Sequence, residues 1–460
     1  MDEPITYDIS ALAAALAAEE FSAREFTEAT LKRIESQNGA LNAFTAVTAE
    51  QALAAADESD GRRARGASIG PLDGVPVALK ENIDLKGVPT TAGMETRRHA
   101  TAKEDAVVTA RLRASGAVLL GKLNMEAAAM SAVTNNPDFG ATHNPHRQGF
   151  TPGGSSGGSG AAVAAGLCVA ALGTDTLGSV RIPASYCGVA GLKPSTGLVS
   201  VRGVVPLSWR YDHVGPLARS SRDLGLMLDV LAAYDPECAE SRDLPAQATY
   251  DPGDAPDVSG LTLGRLTHHG VVVDPDIDVA FSRACEVLAG LGCIIKDITI
   301  PDHDYSAVRR AGLLIVVAEG AVVHADDLEI RPGRLPPDLR AMLDHGRRAS
   351  AVDYVKAERR IAEVVVKVRR AFEGLEALLT PTAPQTAFSF DDEASVTQAD
   401  FAALANLIGA PAVSVPMGLS GAGLPMGLQI VGKASSDAAV LRLARAYERA
   451  AGWNLRPPGF

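Results

Sequence analysis

Two serines and one lysine are the residues best suited to breaking an amide or ester bond. Ser155 lies in Gly153-Gly154-Ser155-Ser156-Gly157, Ser179 closes Gly173-Thr174-Asp175-Thr176-Leu177-Gly178, and Lys80 ends the apolar run Val75-Pro76-Val77-Ala78-Leu79. A serine hydroxyl becomes a nucleophile only when a base removes its proton. Histidine is the usual base, and a lysine can serve if desolvation or a nearby cation lowers its pKa from about 10.4 toward neutrality. The end of a short buried strand would supply that desolvation. The plain alternative is a lysine whose stem covers the strand end while its ammonium reaches water.

Each serine admits more than one role. Gly153 to Gly157 satisfies Gly-x-Ser-x-Gly, the pattern of a nucleophile elbow, which would make Ser155 the nucleophile. An elbow should follow a buried strand, whereas Arg147-Gln148-Gly149-Phe150-Thr151-Pro152 is polar and broken by proline. A phosphate cradle lacks its Gly-Lys-Ser/Thr ending, and a flexible linker would not run straight into Ala161-Ala162-Val163-Ala164-Ala165. Ser179 has the stronger context. Leu167 to Leu172 is a continuous apolar run fit for a buried strand, and the turn after it could converge several N–H groups on one oxyanion.

Neighbouring residues have plainer readings. Asp175 and Arg181 flank Ser179 and are expected to pair and hold the turn. His213 keeps a Ser-His-Asp arrangement open. Cys187, eight residues past Ser179, has no histidine nearby in sequence. His268-His269 lacks carboxylate or cysteine neighbours at ligand spacing, so no metal and no cofactor are expected.

Taken together, these segments resemble the amidase signature family of serine hydrolases. The matching runs are Gly74 to Asn82, Gly121-Lys122-Leu123-Asn124-Met125, Phe139 to Pro145, Gly153 to Lys193, Gly409 to Pro416 and Gly423 to Ile430. The resemblance implies a Ser-Ser-Lys triad: Ser179 the nucleophile, Ser155 a bridging serine after a cis peptide bond, and Lys80 the base. It implies oxyanion N–H groups from Thr176, Leu177, Gly178 and Ser179. Many members have glycine where this chain has Leu177, so an ordinary φ is expected there, the side chain turned from the oxyanion or lining the pocket. The implied fold is one large α/β/α domain spanning residues 1–460, its central mixed, twisted sheet covered by helices on both faces.

The elements that would position these residues can be read in outline. Asp8 can cap a helix with Ile9, Leu12 and Leu16 on its apolar face, and Ser22 with Glu25 forms a capping box flanked by Phe21 and Phe26. These N-terminal helices, within residues 1–66, are expected to pack on a signature core at 72–220, where strands and helices alternate. A strand at Leu261 to Gly264, a helix near 276–290 and a strand at Cys293 to Ile295 follow. The region of about 303–374 is helical, with Tyr354, Ile361, Val365, Val368 and Phe372 at core spacing. The resemblance makes this the variable cover of the active site, and substrate choice is expected there and around Met130 and Ser131. Ala377 to Thr380 reads as a returning strand, and a last helix spans about Ser436 to Ala451.

Composition bounds the rest. Hydrophobic residues make up 47% of the 460, enough for a sizeable core, and the net charge is −12. With no basic cluster that could serve a nucleic acid and no apolar run of membrane-spanning length, neither nucleic acid nor membrane is expected as a partner. The N-terminus, Met1-Asp2-Glu3-Pro4, lacks a secretory pattern, and five scattered cysteines read as buried free thiols, so a cytoplasmic location is expected. Two functions fit. The first is a free-standing amidase acting on a small-molecule amide or urea-type compound, with a homodimer left open. The second is the glutaminase subunit of a transamidating complex, which releases ammonia for a partner protein.

Overall fold

The computed structural model describes residues 6–245, 247–267, 270–330 and 332–460. The N-terminal tetrapeptide and His268-His269 therefore lie outside the described residues.

Thirteen strands are described: β1 (Phe44–Val47), β2 (Pro76–Lys80), β3 (Val118–Leu123), β4 (Asn135–Asn136), β5 (Gly140–Ala141), β6 (Ala170–Thr174), β7 (Ala190–Lys193), β8 (Val214–Ala218), β9 (Thr262–Leu266), β10 (Ile294–Ile298), β11 (Ala377–Pro381), β12 (Ala412–Leu419) and β13 (Pro425–Val431). Eleven form one mixed sheet in the order β1-β3-β2-β6-β8-β7-β12-β13-β11-β9-β10, and β4 pairs with β5 outside it. Strands β2, β3, β6, β7, β8, β11 and β13 are buried at every position. Such strands must be covered on both faces, here by helices.

The register of β2 decides where the lysine goes. It runs parallel to both β3 and β6, with Leu79 opposite Leu172. Lys80 and Thr174 therefore emerge together at the carboxyl ends of adjacent parallel strands, the usual place for a site in an open α/β sheet.

Local signals mostly held. Asp8 caps the helix Ile9–Ala17, and Ser22 and Glu25 form the reciprocal box at the start of Ala23–Leu41. The Phe21 and Phe26 rings stack at 5.6 Å. The strand expected at Leu167 to Leu172 instead spans Ala170–Thr174. The helix Gly157–Ala164 ends on Gly166 at φ 66°, and the Leu167 N–H donates to the Ala162 carbonyl at 2.8 Å. That helix closure consumes Ala165 to Leu167, so the strand starts later and takes in Gly173 and Thr174.

The turn after β6 is held by a buried polar network. Asp175 Oδ1 accepts from the Gly178 N–H at 2.7 Å, from Arg181 at 2.9 Å and from Asn406 at 2.9 Å. Its Oδ2 accepts from Arg181 Nε at 3.0 Å and the Val180 N–H at 3.2 Å. Arg181 also donates to Gln429 Oε1, Asn406 Oδ1 and the Ala402 carbonyl, all within 2.7 Å. Both charges are fully buried, so they persist only because nearly every polar atom is matched. Burial raises the Asp175 pKa, but the charge and hydrogen bonds of Arg181 outweigh it and hold the carboxyl well below the usual range.

Removing one partner strands the other charge. Asp175→Ala is expected to lower the unfolding free energy by about 3–5 kcal/mol, measured by urea denaturation followed by far-UV circular dichroism. A loss below about 1 kcal/mol would mean the turn is held by other contacts.

Candidate active site

The carboxyl ends of β2 and β6 bring the lysine to the first serine. Lys80 Nζ lies 2.7 Å from Ser155 Oγ, donates to Thr174 Oγ1 at 2.7 Å, and approaches the Thr174 carbonyl at 3.4 Å. No carboxylate among the described residues touches it. Burial therefore dominates and lowers its pKa to about 7, against the pull of the more distant Asp212 and Asp175 charges.

Ser155 sits in a loop fixed from several sides. The Gly154–Ser155 peptide is cis. The Ser155 carbonyl accepts from the Glu126 N–H at 3.2 Å, and Thr134 Oγ1 donates to the Gly153 carbonyl at 2.8 Å. A Cβ on Gly154 would come within 2.5 Å of Val133 N, so glycine lets the 131–133 segment pass against the loop. The Ser156 N–H donates to the Ser179 carbonyl at 3.2 Å, joining the two serine segments. The Ser155 and Ser179 hydroxyls share no hydrogen bond in this structure. Catalytic contacts are commonly long until substrate is bound.

Ser179 opens onto a cavity of about 320 Å³ whose lining includes Met130, Ser131, Thr176, Leu177 and Arg309. Ser155 is fully buried and is not part of that lining. Gly178 has φ +123°, and a Cβ there would meet the Ala402 Cβ at 2.6 Å, so this position needs glycine. Leu177 is absent from the residues with positive φ; it lines the cavity and packs with the helical cluster around Ile315 and Leu407. The N–H groups of Thr176, Leu177 and Ser179 have no hydrogen-bond partner among the described residues. That of Gly178 is given to Asp175, so in this structure it is not free for an oxyanion.

Two alternatives lose their geometry. The His213 ring contacts Thr196 Oγ1 at 2.8 Å and the Tyr211 carbonyl at 2.7 Å, and burial lowers its pKa to about 3. None of its ring hydrogen bonds goes to Ser179. Cys187 is buried against the Pro152 carbonyl, and burial pushes its thiol pKa far upward.

Several residues at the site escaped the sequence reading. Thr174 holds the lysine, and Asn82 donates to Thr174 Oγ1 at 3.2 Å. Asp212 accepts from the Thr176 hydroxyl at 2.6 Å and from the Leu207 and Ser208 N–H groups at 2.7 and 3.1 Å. Burial raises its pKa to about 6. Its chain neighbour His213 drew attention because it is the usual base, whereas nothing linear ties Asp212 to Thr176. Arg309 donates to Asp400 Oδ1 at 2.5 Å and still lines the cavity.

Comparison with known proteins identifies the family and the fold. The Amidase family model matches residues 25–441. The A-type subunit of glutamyl-tRNA(Gln) amidotransferase from Geobacter metallireducens is 37% identical over 96% of both chains, and that from Chloroflexus aurantiacus is 38% identical over 98% of both. Among solved structures, a chain from a vestigial protein complex tied to the origins of an s-triazine catabolic enzyme superposes with TM-score 0.92. It is 34% identical, covering 98% of this chain and all of the other. A bacterial aryl acylamidase of the amidase signature family gives TM-score 0.90 at 26% identity, over 97% and 96% of the two chains.

These relatives correct one expectation. A small-molecule amide as the only partner, with no nucleic acid, does not stand beside relatives named as one subunit of an amidotransferase for a tRNA. Net charge and the clusters visible along a sequence do not exclude such a partner, because folding can bring together cations that lie far apart in the chain. With its eleven-stranded mixed sheet and a family match running nearly end to end, the chain belongs to the amidase signature family, hydrolases that act on amide C–N bonds.

Proposed function

We propose that this chain is the amidase subunit of a glutamyl-tRNA(Gln) amidotransferase-like assembly, hydrolysing the side-chain amide of glutamine and supplying the ammonia to a partner protein. The observation that carries this reading is the 37–38% identity to the A-type subunits of that amidotransferase over almost the full length of both chains. The cavity is compatible with it. Arg309 is a cation in the lining, oriented by Asp400, and could take the α-carboxylate of an amino acid while the side-chain amide reaches Ser179. The apolar remainder of the lining favours a second reading, an enzyme for a small hydrophobic amide that works alone.

In the proposed chemistry neutral Lys80 takes the proton of Ser155 as Ser155 takes that of Ser179. Ser179 Oγ then bonds to the amide carbon, and the Thr176, Leu177 and Ser179 N–H groups face the developing oxyanion. The proton returns along the same path to the nitrogen, the C–N bond breaks, and ammonia leaves. Water, deprotonated by the same relay, attacks the acyl carbon and frees the carboxylate product and Ser179.

Ser179→Ala is expected to reduce amide hydrolysis about 10⁴-fold or more, and Lys80→Ala and Ser155→Ala about 10²–10⁴-fold. Acyl-enzyme trapping on Ser155 in place of Ser179 would reverse their roles. Since the base must be uncharged, kcat/KM should rise with pH through a limb near 7, the value to which burial lowers Lys80.

Asp212 opposes that lowering, so Asp212→Asn should move the limb to lower pH. The asparagine can keep its contacts by accepting from the two backbone N–H groups and donating to the Thr176 hydroxyl. A limb that stays in place would separate Asp212 from the base.

The functional reading itself is tested by ammonia release from glutamine, by the chain alone and assembled with its partner subunits, beside aliphatic, aromatic and urea-derived amides. Glutamine turnover that rises on assembly is expected. Inert glutamine in both states, with brisk turnover of a small amide, would favour the second reading.

A further inference from the structure

Away from the serines, the helices Tyr305–Val323, Pro337–Arg348 and Ala351–Ala371 enclose a second cleft of about 670 Å³. Arg310, Arg348, Lys356 and Arg360 line it together with His345. All four Lys and Arg side chains are exposed, and none has a hydrogen bond or ion pair among the described residues. One carboxylate lines the cleft, that of Asp353, and it accepts from the Ser350 hydroxyl at 2.7 Å at the start of its own helix. On a chain of net charge −12, residues 305–371 hold 13 Lys and Arg against 9 Asp and Glu.

Cations held this close repel one another and are tolerated because water screens them. They are a standing attraction for a ligand with several negative charges at short spacing. Guanidinium forks on separate helices can each grip one group bidentately. Between them lies an apolar floor of alanines and Leu314. A lone carboxylate would satisfy one arginine, whereas linked phosphates present their charges at the density that four cations require. The cleft also shares a wall with the catalytic cavity: Arg309, Leu313 and Val316 of the Tyr305–Val323 helix line the cavity, while Arg310, Ala311 and Leu314 line the cleft.

We infer that this cleft is a binding site for a ligand bearing closely linked phosphates, either a free polyphosphate compound or an RNA backbone. The inference does not depend on which amide the enzyme hydrolyses.

Tripolyphosphate is titrated calorimetrically into the full chain at about 0.15 M salt, and a short single-stranded RNA is tested by fluorescence anisotropy and as a competitor. The double variant Arg348→Glu/Arg360→Glu reverses two charges in the cleft. Arg369→Glu/Arg370→Glu, beyond it on the same helix, controls for bulk charge. Saturable one-to-one binding of at least one probe is expected, weakened about tenfold or more in the cleft variant and changed less than about twofold in the control. Hydrolysis of a small amide, measured on each variant and expected to stay near wild type, shows that the site and fold are intact. RNA that binds and competes identifies a nucleic-acid source, and tripolyphosphate binding without RNA competition identifies a free one. No saturable binding of either probe, or equal loss in cleft and control variants, would overturn the inference.

Discussion

The site depends on an amine buried among neutral oxygens. Three lysines, Lys80, Lys122 and Lys193, are fully buried near the sheet, and burial lowers the pKa of each. Desolvation alone therefore does not select a base. Lys122 is directed to Thr90 and the Pro89 carbonyl, with the Glu81 charge nearby, and Lys193 to the Pro194 carbonyl. Lys80 differs in touching the Ser155 hydroxyl, whose loop is tied through the Ser156 N–H to the segment of Ser179. Its poise follows from what is missing around it: a carboxylate in contact would raise its pKa and leave it a permanent cation.

A charged network works in the opposite direction one turn away. Around Asp175 and Arg181 every available donor and acceptor is used to keep charge in the interior, and the partners Asn406 and Gln429 come from the far end of the chain. The helix Ala403–Leu407, through Asn406, and β13, through Gln429, thus hold the turn that carries Ser179. This coupling explains why short runs near residues 409–430 belong to the same chemical unit as the glycine-rich segment, although they supply no reacting group.

The helical layer over the sheet presents two adjacent faces of one helix to two different spaces. One face gives the cavity at Ser179 apolar walls and a single oriented arginine, and the other borders a cleft whose cations have no partner among the described residues. Helical spacing makes this economical, since residues one apart in sequence turn about 100° from each other. Arg309 and Arg310, identical in type and adjacent in sequence, therefore meet a buried aspartate in one case and open solvent in the other.

Much of this was legible before folding was considered. Capping residues, the apolar run ending in Lys80, the glycine-rich turns and the Asp175–Arg181 pairing are local, and local geometry decides them. The family resemblance rested on the same short-range patterns. What sequence could not supply were contacts whose partners lie far apart: Thr174 against Lys80, Asp212 against Thr176, Arg309 against Asp400, and the four cations of the second cleft. Even the β6 strand shifted, because the closure of the preceding helix reaches Leu167, the first residue that apolarity alone assigned to the sheet. Residue type sets which chemistry a side chain can perform. Its pKa, its partner and the direction it faces depend on what the tertiary structure packs around it, because burial and charge act through space and not along the chain.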